Sequence, residues 1–187
     1  MNNVMITLII LFVSMTLVSQ VEAQAQHAQH NNHQHETVSG SHAADEFQTE
    51  FSMFMQDYFD VKEALVDSDL EKARHNSHAM SDRLEKIGPH RLEGDEHMFW
   101  MNRFEDLSDG IAAIHDAGSL DDAREHFSSL SDQLVEIAGT LGMDGVVYHQ
   151  FCPMADAGWL SDEEEIRNPY MPDTMLGCGR IEEQIEG

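Results

Sequence analysis

The sequence predicts an all-α fold, an antiparallel four-helix bundle with an irregular Cys/Met-rich C-terminal segment packed on it. Three observations carry that expectation. Apolar residues recur at steps of three and four through four successive stretches, which is the helical period. Short breaks containing Gly, Pro or Ser separate those stretches, so neighbouring helices run antiparallel. No run alternates apolar and polar residues in the way that marks a half-buried strand.

The first helix presents Phe47, Phe51, Phe54, Tyr58, Val61 and Leu65 on one face. Ser68-Asp69-Leu70-Glu71 reads as a capping box that opens the second helix. Its stripe is Leu70, Ala73, Ser77, Met80, Leu84 and Ile87, closed by Gly88-Pro89. The third stripe is Trp100, Phe104, Leu107, Ile111 and Ile114, stopping near Gly118. Ser119 caps the fourth helix, with Asp121 and Asp122 in its first turn to complement the helix dipole. That helix carries Leu120, Ala123, Phe127, Leu130, Leu134, Ile137 and Leu141 and ends at Gly142. The aromatics on these stripes are expected to fill the core. No dinucleotide or phosphate-binding loop interrupts them.

At 187 residues the chain has room for one domain, and with 41% hydrophobic residues it can build a core. Ten Lys+Arg stand against 35 Asp+Glu, a formal charge of −25. Such a surface repels nucleic acid and anionic membranes and attracts cations or basic proteins. Val4 to Val18 is an uncharged apolar run, short of the roughly 20 residues that a spanning helix needs. Val21 and Ala23 sit three and one before a cut after Ala23, so residues 1–23 read as a signal peptide. The expected location is periplasmic or secreted, with no stable membrane insertion after cleavage. Met1-Asn2-Asn3 brings no Lys or Arg, which leaves an uncleaved anchor as the alternative. Residues 24–44 form a polar, low-complexity leader, expected to be disordered, with His27, His30, His33, His35 and His42. Imidazoles on such a leader can capture Cu(II), Ni(II) or Zn(II) collectively, or the tract is simply a solvated linker. The bundle domain with its C-terminal segment then spans 45–187.

Helical periodicity breaks at Gly145, and the stretch 145–180 holds both cysteines, Trp159 and three of the four prolines. Cys152-Pro153-Met154 and Met175-Leu176-Gly177-Cys178 carry the same soft donors, thiolate and thioether, which favour Cu(I) or Ag(I) over hard cations. Pro153 and the glycines beside Cys178 bend the backbone, so that the four sulfurs of Cys152, Met154, Met175 and Cys178 can converge. His149 adds a borderline imidazole three residues before Cys152. His97, in line with the inner stripe of the third helix, is a further candidate ligand, or else a core or edge histidine. Zinc fits less well, because methionine is a poor zinc ligand. In an exported chain a Cys152–Cys178 disulfide explains both cysteines equally well, with Met154 and Met175 then filling gaps. No Cys-His-Asn order marks a nucleophilic cysteine, and the chain is not expected to be an enzyme.

Cys152-Pro153-Met154-Ala155, Trp159-Leu160-Ser161, Ile166-Arg167-Asn168-Pro169-Tyr170 and Met175-Leu176-x-Cys178-Gly179 together resemble the signature of a periplasmic domain of unknown function. That domain occurs alone after a signal peptide and at the C-terminus of adaptor subunits of heavy-metal (copper/silver) efflux systems. The likeness runs from about Phe47 to Ile185, with its specific part between Tyr148 and Gly179. Met171-Pro172 stands where similar sequences have an aromatic residue and a glycine, and the stretch from Ala155 to Trp159 is shorter than usual. The resemblance implies an exported helical domain tied to heavy-metal handling, whose partner is an efflux adaptor or another periplasmic copper protein. It favours the soft-metal reading, a Cu(I)/Ag(I) buffer, chaperone or efflux accessory, over a disulfide-stabilised interaction module.

Overall fold

The computed structural model describes residues 38–186, with side chains from residue 45 onward. The segment 1–23 and the leader histidines 27, 30, 33 and 35 lie outside the described residues. Four long helices form the scaffold: α1 (Val38–Val66), α2 (Leu70–Leu84), α3 (Gly94–Asp116) and α4 (Leu120–Leu141). The first begins inside 24–44, the stretch expected to be a disordered leader. No helix among the described residues is long and apolar enough to cross a membrane.

Cross-helix pairs define an up-down-up-down order. Gly88, after α2, donates to Glu50 in α1, while Arg83 pairs with Asp57 and Asn76 reaches the Asp60 carbonyl. Trp100 of α3 packs edge-on against Phe47 and Phe51, and Arg103 pairs with Glu136 of α4. Gln48 reaches the Leu141 carbonyl, and Arg124 reaches that of Leu65, so α4 descends along α1. The expected stripes are the core: Phe47, Phe51, Phe54, Tyr58, Met80, Trp100, Ile111, Phe127 and Leu134 are all fully buried. Burying a side chain of this size is worth roughly 1.5–3 kcal/mol, which is what holds helices whose outer faces are acidic.

Two helix starts test the capping assignments. Ser119 Oγ accepts from the Asp122 N–H at 3.2 Å, as its position required. At α2 the cap is Asp69, whose carboxylate accepts from the Lys72 N–H at 3.0 Å. Ser68, expected in that role, has a left-handed backbone (φ 56°) and instead takes a hydrogen bond from Arg124. The loop's turn shifts the helix start by one residue.

The C-terminal part departs from an all-α fold. It is a small three-stranded antiparallel sheet in the order β2-β1-β3, with β1 Val146–Cys152, β2 Ala157–Ser161 and β3 Arg180–Glu186. A one-turn helix, α5 (Pro172–Met175), precedes β3. β-Branched and aromatic residues in Val146-Val147-Tyr148 suit a pleated surface. Alternation is hidden because all five residues of β2 are buried, while β3 is an acidic edge strand with Ile185 alone buried. A bulge opposite His149/Gln150 adds one residue to β3, so Glu183 pairs with His149 and Ile181 with Gln150.

The sheet is pinned to the bundle by a buried hydrogen-bond chain. The Leu160 N–H donates to Tyr58 Oη at 3.0 Å, and Tyr58 donates to Ser131 Oγ at 2.7 Å. Ser131 in turn donates to the Phe127 carbonyl. The buried Lys62 ammonium donates to Ser161 Oγ at 3.0 Å and lies 3.1 Å from Glu63. β2 is thus fastened to α1 and α4 at adjacent residues.

Candidate functional site

Cys152 closes β1, and alternation along the strand sets its surroundings. Tyr148, Gln150 and Cys152 share one face with their partners Ser161, Trp159 and Ala157 on β2. The loop 162–179 folds back over this face. Gln150, itself buried, reaches the carbonyls of Glu163, Glu164 and Glu165, the nearest at 2.8 Å, and so fixes where the loop turns. Arg124 donates to the Pro169 carbonyl, and Arg167 to Glu63, which tie the same loop to α4 and α1.

Asn168 is the hinge of this return. Its carboxamide oxygen accepts from the N–H groups of Tyr170 (2.9 Å) and Met171 (3.2 Å), the local turn that Asn before Pro favours. Its backbone N–H donates to the Leu176 carbonyl at 2.8 Å, and its amide nitrogen donates to the Cys178 carbonyl at 3.2 Å. Tyr170 packs across Trp159 and near Phe127 and donates to the Gly158 carbonyl. Gly179 lies so close to Trp159 that an added Cβ would sit 3.1 Å from the indole ring and 3.0 Å from Ile166. A side chain there would press on both neighbours and sit on a backbone of positive φ (157°).

The result is that Cys152 Sγ and Cys178 Sγ lie 3.2 Å apart, both as free cysteines. That spacing lies between the about 2.05 Å of a disulfide bond and the about 3.8 Å that two sulfurs adopt around a tetrahedral ion with about 2.3 Å bonds. The two sulfurs are unequal. Cys152 is fully buried, and burial alone pushes its thiol up. The Ala155 N–H, Cys178, the Met154 N–H and the Asn168 side chain outweigh that burial and hold it below the ordinary thiol value. Cys178 is partly exposed and raised, chiefly because it donates its proton towards Cys152, with desolvation adding to the effect. The turn Cys152-Pro153-Met154-Ala155 thus holds the Cys152 thiol below its ordinary value, while the neighbouring Cys178 is held above its own.

The other candidate ligands are distributed differently. Met175 is half-buried one turn before Cys178, whose N–H donates to the Met175 carbonyl at 2.9 Å. Met154 is 63% exposed on the rim. His149 falls on the opposite face of β1 from Cys152, because three steps along a strand reverse the side-chain direction; its ring leans over Gly158. His97 bonds through Nδ1 to the Pro89 carbonyl at 2.8 Å, in the turn between α2 and α3. Among the described residues no group of three or more His, Cys, Asp or Glu is placed to hold a metal ion. The arrangement is a sulfur pair with methionine at its margin. Sequence reasoning did not find Gln150, Arg124 or Tyr58 as supports, since nothing in their local pattern distinguishes them from surface or core residues. Asn168 did carry a signal, the Asn-Pro-Tyr turn.

The family described as a protein of unknown function (DUF3347) matches residues 54–144. The match runs from Phe54 in α1 through the end of α4 and stops before β1, so it covers the helical scaffold and not the sulfur pair. Comparison with curated proteins and with solved structures gives no match.

Proposed function

We propose that this chain is an exported soft-metal binding protein, taking up Cu(I) or Ag(I) through the Cys152 and Cys178 thiolates. It would serve as a buffer, chaperone or accessory to heavy-metal efflux. The observation that carries the reading is the 3.2 Å approach of the two sulfurs. Thiolates are the ligands that soft monovalent ions prefer, and a site poor in oxygen and imidazole donors discriminates against zinc and calcium. Met175, half-buried a turn away, and Met154, on the rim, supply exchangeable thioethers suited to handing an ion on. The acidic surface attracts cations, and the histidines of the leader, His27, His30, His33, His35 and His42, would collect ions upstream. The partner is an efflux adaptor or another periplasmic copper protein, in line with the resemblance of the C-terminal motifs.

The reading is tested by titrating the reduced protein with Cu(I) against a competing chelator. Binding tighter than micromolar, lost when Cys152→Ser and Cys178→Ser are combined, supports it. Micromolar or weaker binding that survives the double substitution removes it.

A further inference from the structure

We propose that Cys152 and Cys178 form a reversible dithiol–disulfide couple that exchanges with small-molecule thiols and disulfides through Cys178, with the buried Cys152 as resolving and leaving sulfur. The couple stands on the geometry of the pair and does not depend on metal binding.

Two features support it. The sulfurs lie 3.2 Å apart, about 1 Å beyond the length of a disulfide bond. Access is one-sided: Cys152 is fully buried, whereas Cys178 is partly exposed beside Gly177, around whose Cα a side chain would meet nothing within 4 Å.

The chemistry balances with a low-molecular-weight disulfide, RSSR, as oxidant. Cys178, after losing its proton to solvent, attacks one sulfur of RSSR, forming Cys178–S–S–R and releasing RS⁻. Cys152 thiolate then attacks the Cys178 sulfur, forming the intramolecular disulfide and expelling the second RS⁻. Two electrons pass from the protein dithiol to RSSR, and the two thiol protons end on the two RSH formed. Reduction is the reverse: RS⁻ reaches the exposed Cys178 sulfur, and Cys152 departs as thiolate. Where the soft-ion reading also holds, oxidation withdraws both ligands and releases the ion; that corollary, unlike the couple, rests on the metal reading.

The test uses the full chain stripped of metal with chelator and glutathione as the probe. The oxidised protein is expected to be reduced by millimolar glutathione. With glutathione disulfide, Cys152→Ser is expected to accumulate a mixed disulfide on Cys178 at least about tenfold faster than Cys178→Ser accumulates one on Cys152. Acid quenching of the wild-type protein during reduction, followed by alkylation and peptide mapping, gives the same information where a variant fails to fold. It should find glutathione on Cys178 and Cys152 free. A disulfide that resists glutathione, or a mixed disulfide formed equally or preferentially on Cys152, overturns the proposal. Because no metal is present, neither outcome bears on Cu(I) binding.

Discussion

The Asn168 side-chain nitrogen donates to the Cys178 carbonyl at 3.2 Å, and this bond sets where the second sulfur stands relative to the first. The same side chain accepts two backbone N–H groups from the turn it begins. Asn168→Ala therefore strands part-buried polar groups of Cys178, Tyr170 and Met171, at about 1–3 kcal/mol for each that finds no water. Urea denaturation should show a loss of about 2–3 kcal/mol, and Cu(I) competition should show weakened binding. Unchanged values in both would mean that Asn168 does not position Cys178.

Gly179 and Gly177 flank Cys178 and separate a packing requirement from a general loop effect. A Cβ at Gly179 meets Ile166 at 3.0 Å, Trp159 at 3.1 Å and the Phe151 carbonyl at 3.2 Å, while one at Gly177 meets nothing. Gly179→Ala should cost about 1–3 kcal/mol through overpacking and perturb Trp159 fluorescence. Gly177→Ala should leave stability and sulfur reactivity at wild-type levels. Equal effects from the two variants would show that the close approach to Trp159 is unimportant.

Tyr58 supports the sheet without touching the sulfurs. In Tyr58→Phe the ring stays stacked on Phe127, but the Leu160 N–H loses its acceptor. A loss of about 1–3 kcal/mol is expected, with faster hydrogen exchange at Leu160 and an unchanged Cu(I) stoichiometry. A change in stoichiometry would place the ion against the bundle rather than under the loop.

The two thiols should titrate apart. Burial raises Cys152, but the N–H donors and Cys178 together hold it below the ordinary thiol value, whereas donation to Cys152 holds Cys178 above it. The stability from Cys152 is therefore present above the unfolded thiol range and is lost as pH falls through its native value. That from Cys178 is present below the unfolded range and is lost as pH rises through its native value. Thiolate absorbance of the reduced native protein should rise in two steps that bracket the single step of the urea-unfolded chain. One native step at the unfolded position would contradict the asymmetry.

These residues also mark where sequence reasoning succeeds and where it stops. The stripes from Phe47 to Leu65 and from Leu120 to Leu141 are legible because a helix buries one face and repeats the signal over many turns. The sheet is illegible for the opposite reason: β2 buries both faces, and β3 exposes nearly everything, so neither alternates. Reading this segment as irregular also misplaced His149, since residues three apart on a strand face opposite sides. The sulfur motifs themselves were visible, because Cys, Met, Pro and Gly are rare enough to stand out. Their supports, Gln150 and Arg124, act through backbone carbonyls distant in sequence, and such pairing leaves no local trace.

X-ray absorption at the copper edge of Cu(I)-loaded protein tests the central claim most directly. The account predicts a first shell of sulfur at roughly 2.3 Å, lost when Cys152→Ser and Cys178→Ser are combined. A shell of nitrogen and oxygen alone, unaltered by that substitution, would put the ion on histidines or carboxylates and contradict it.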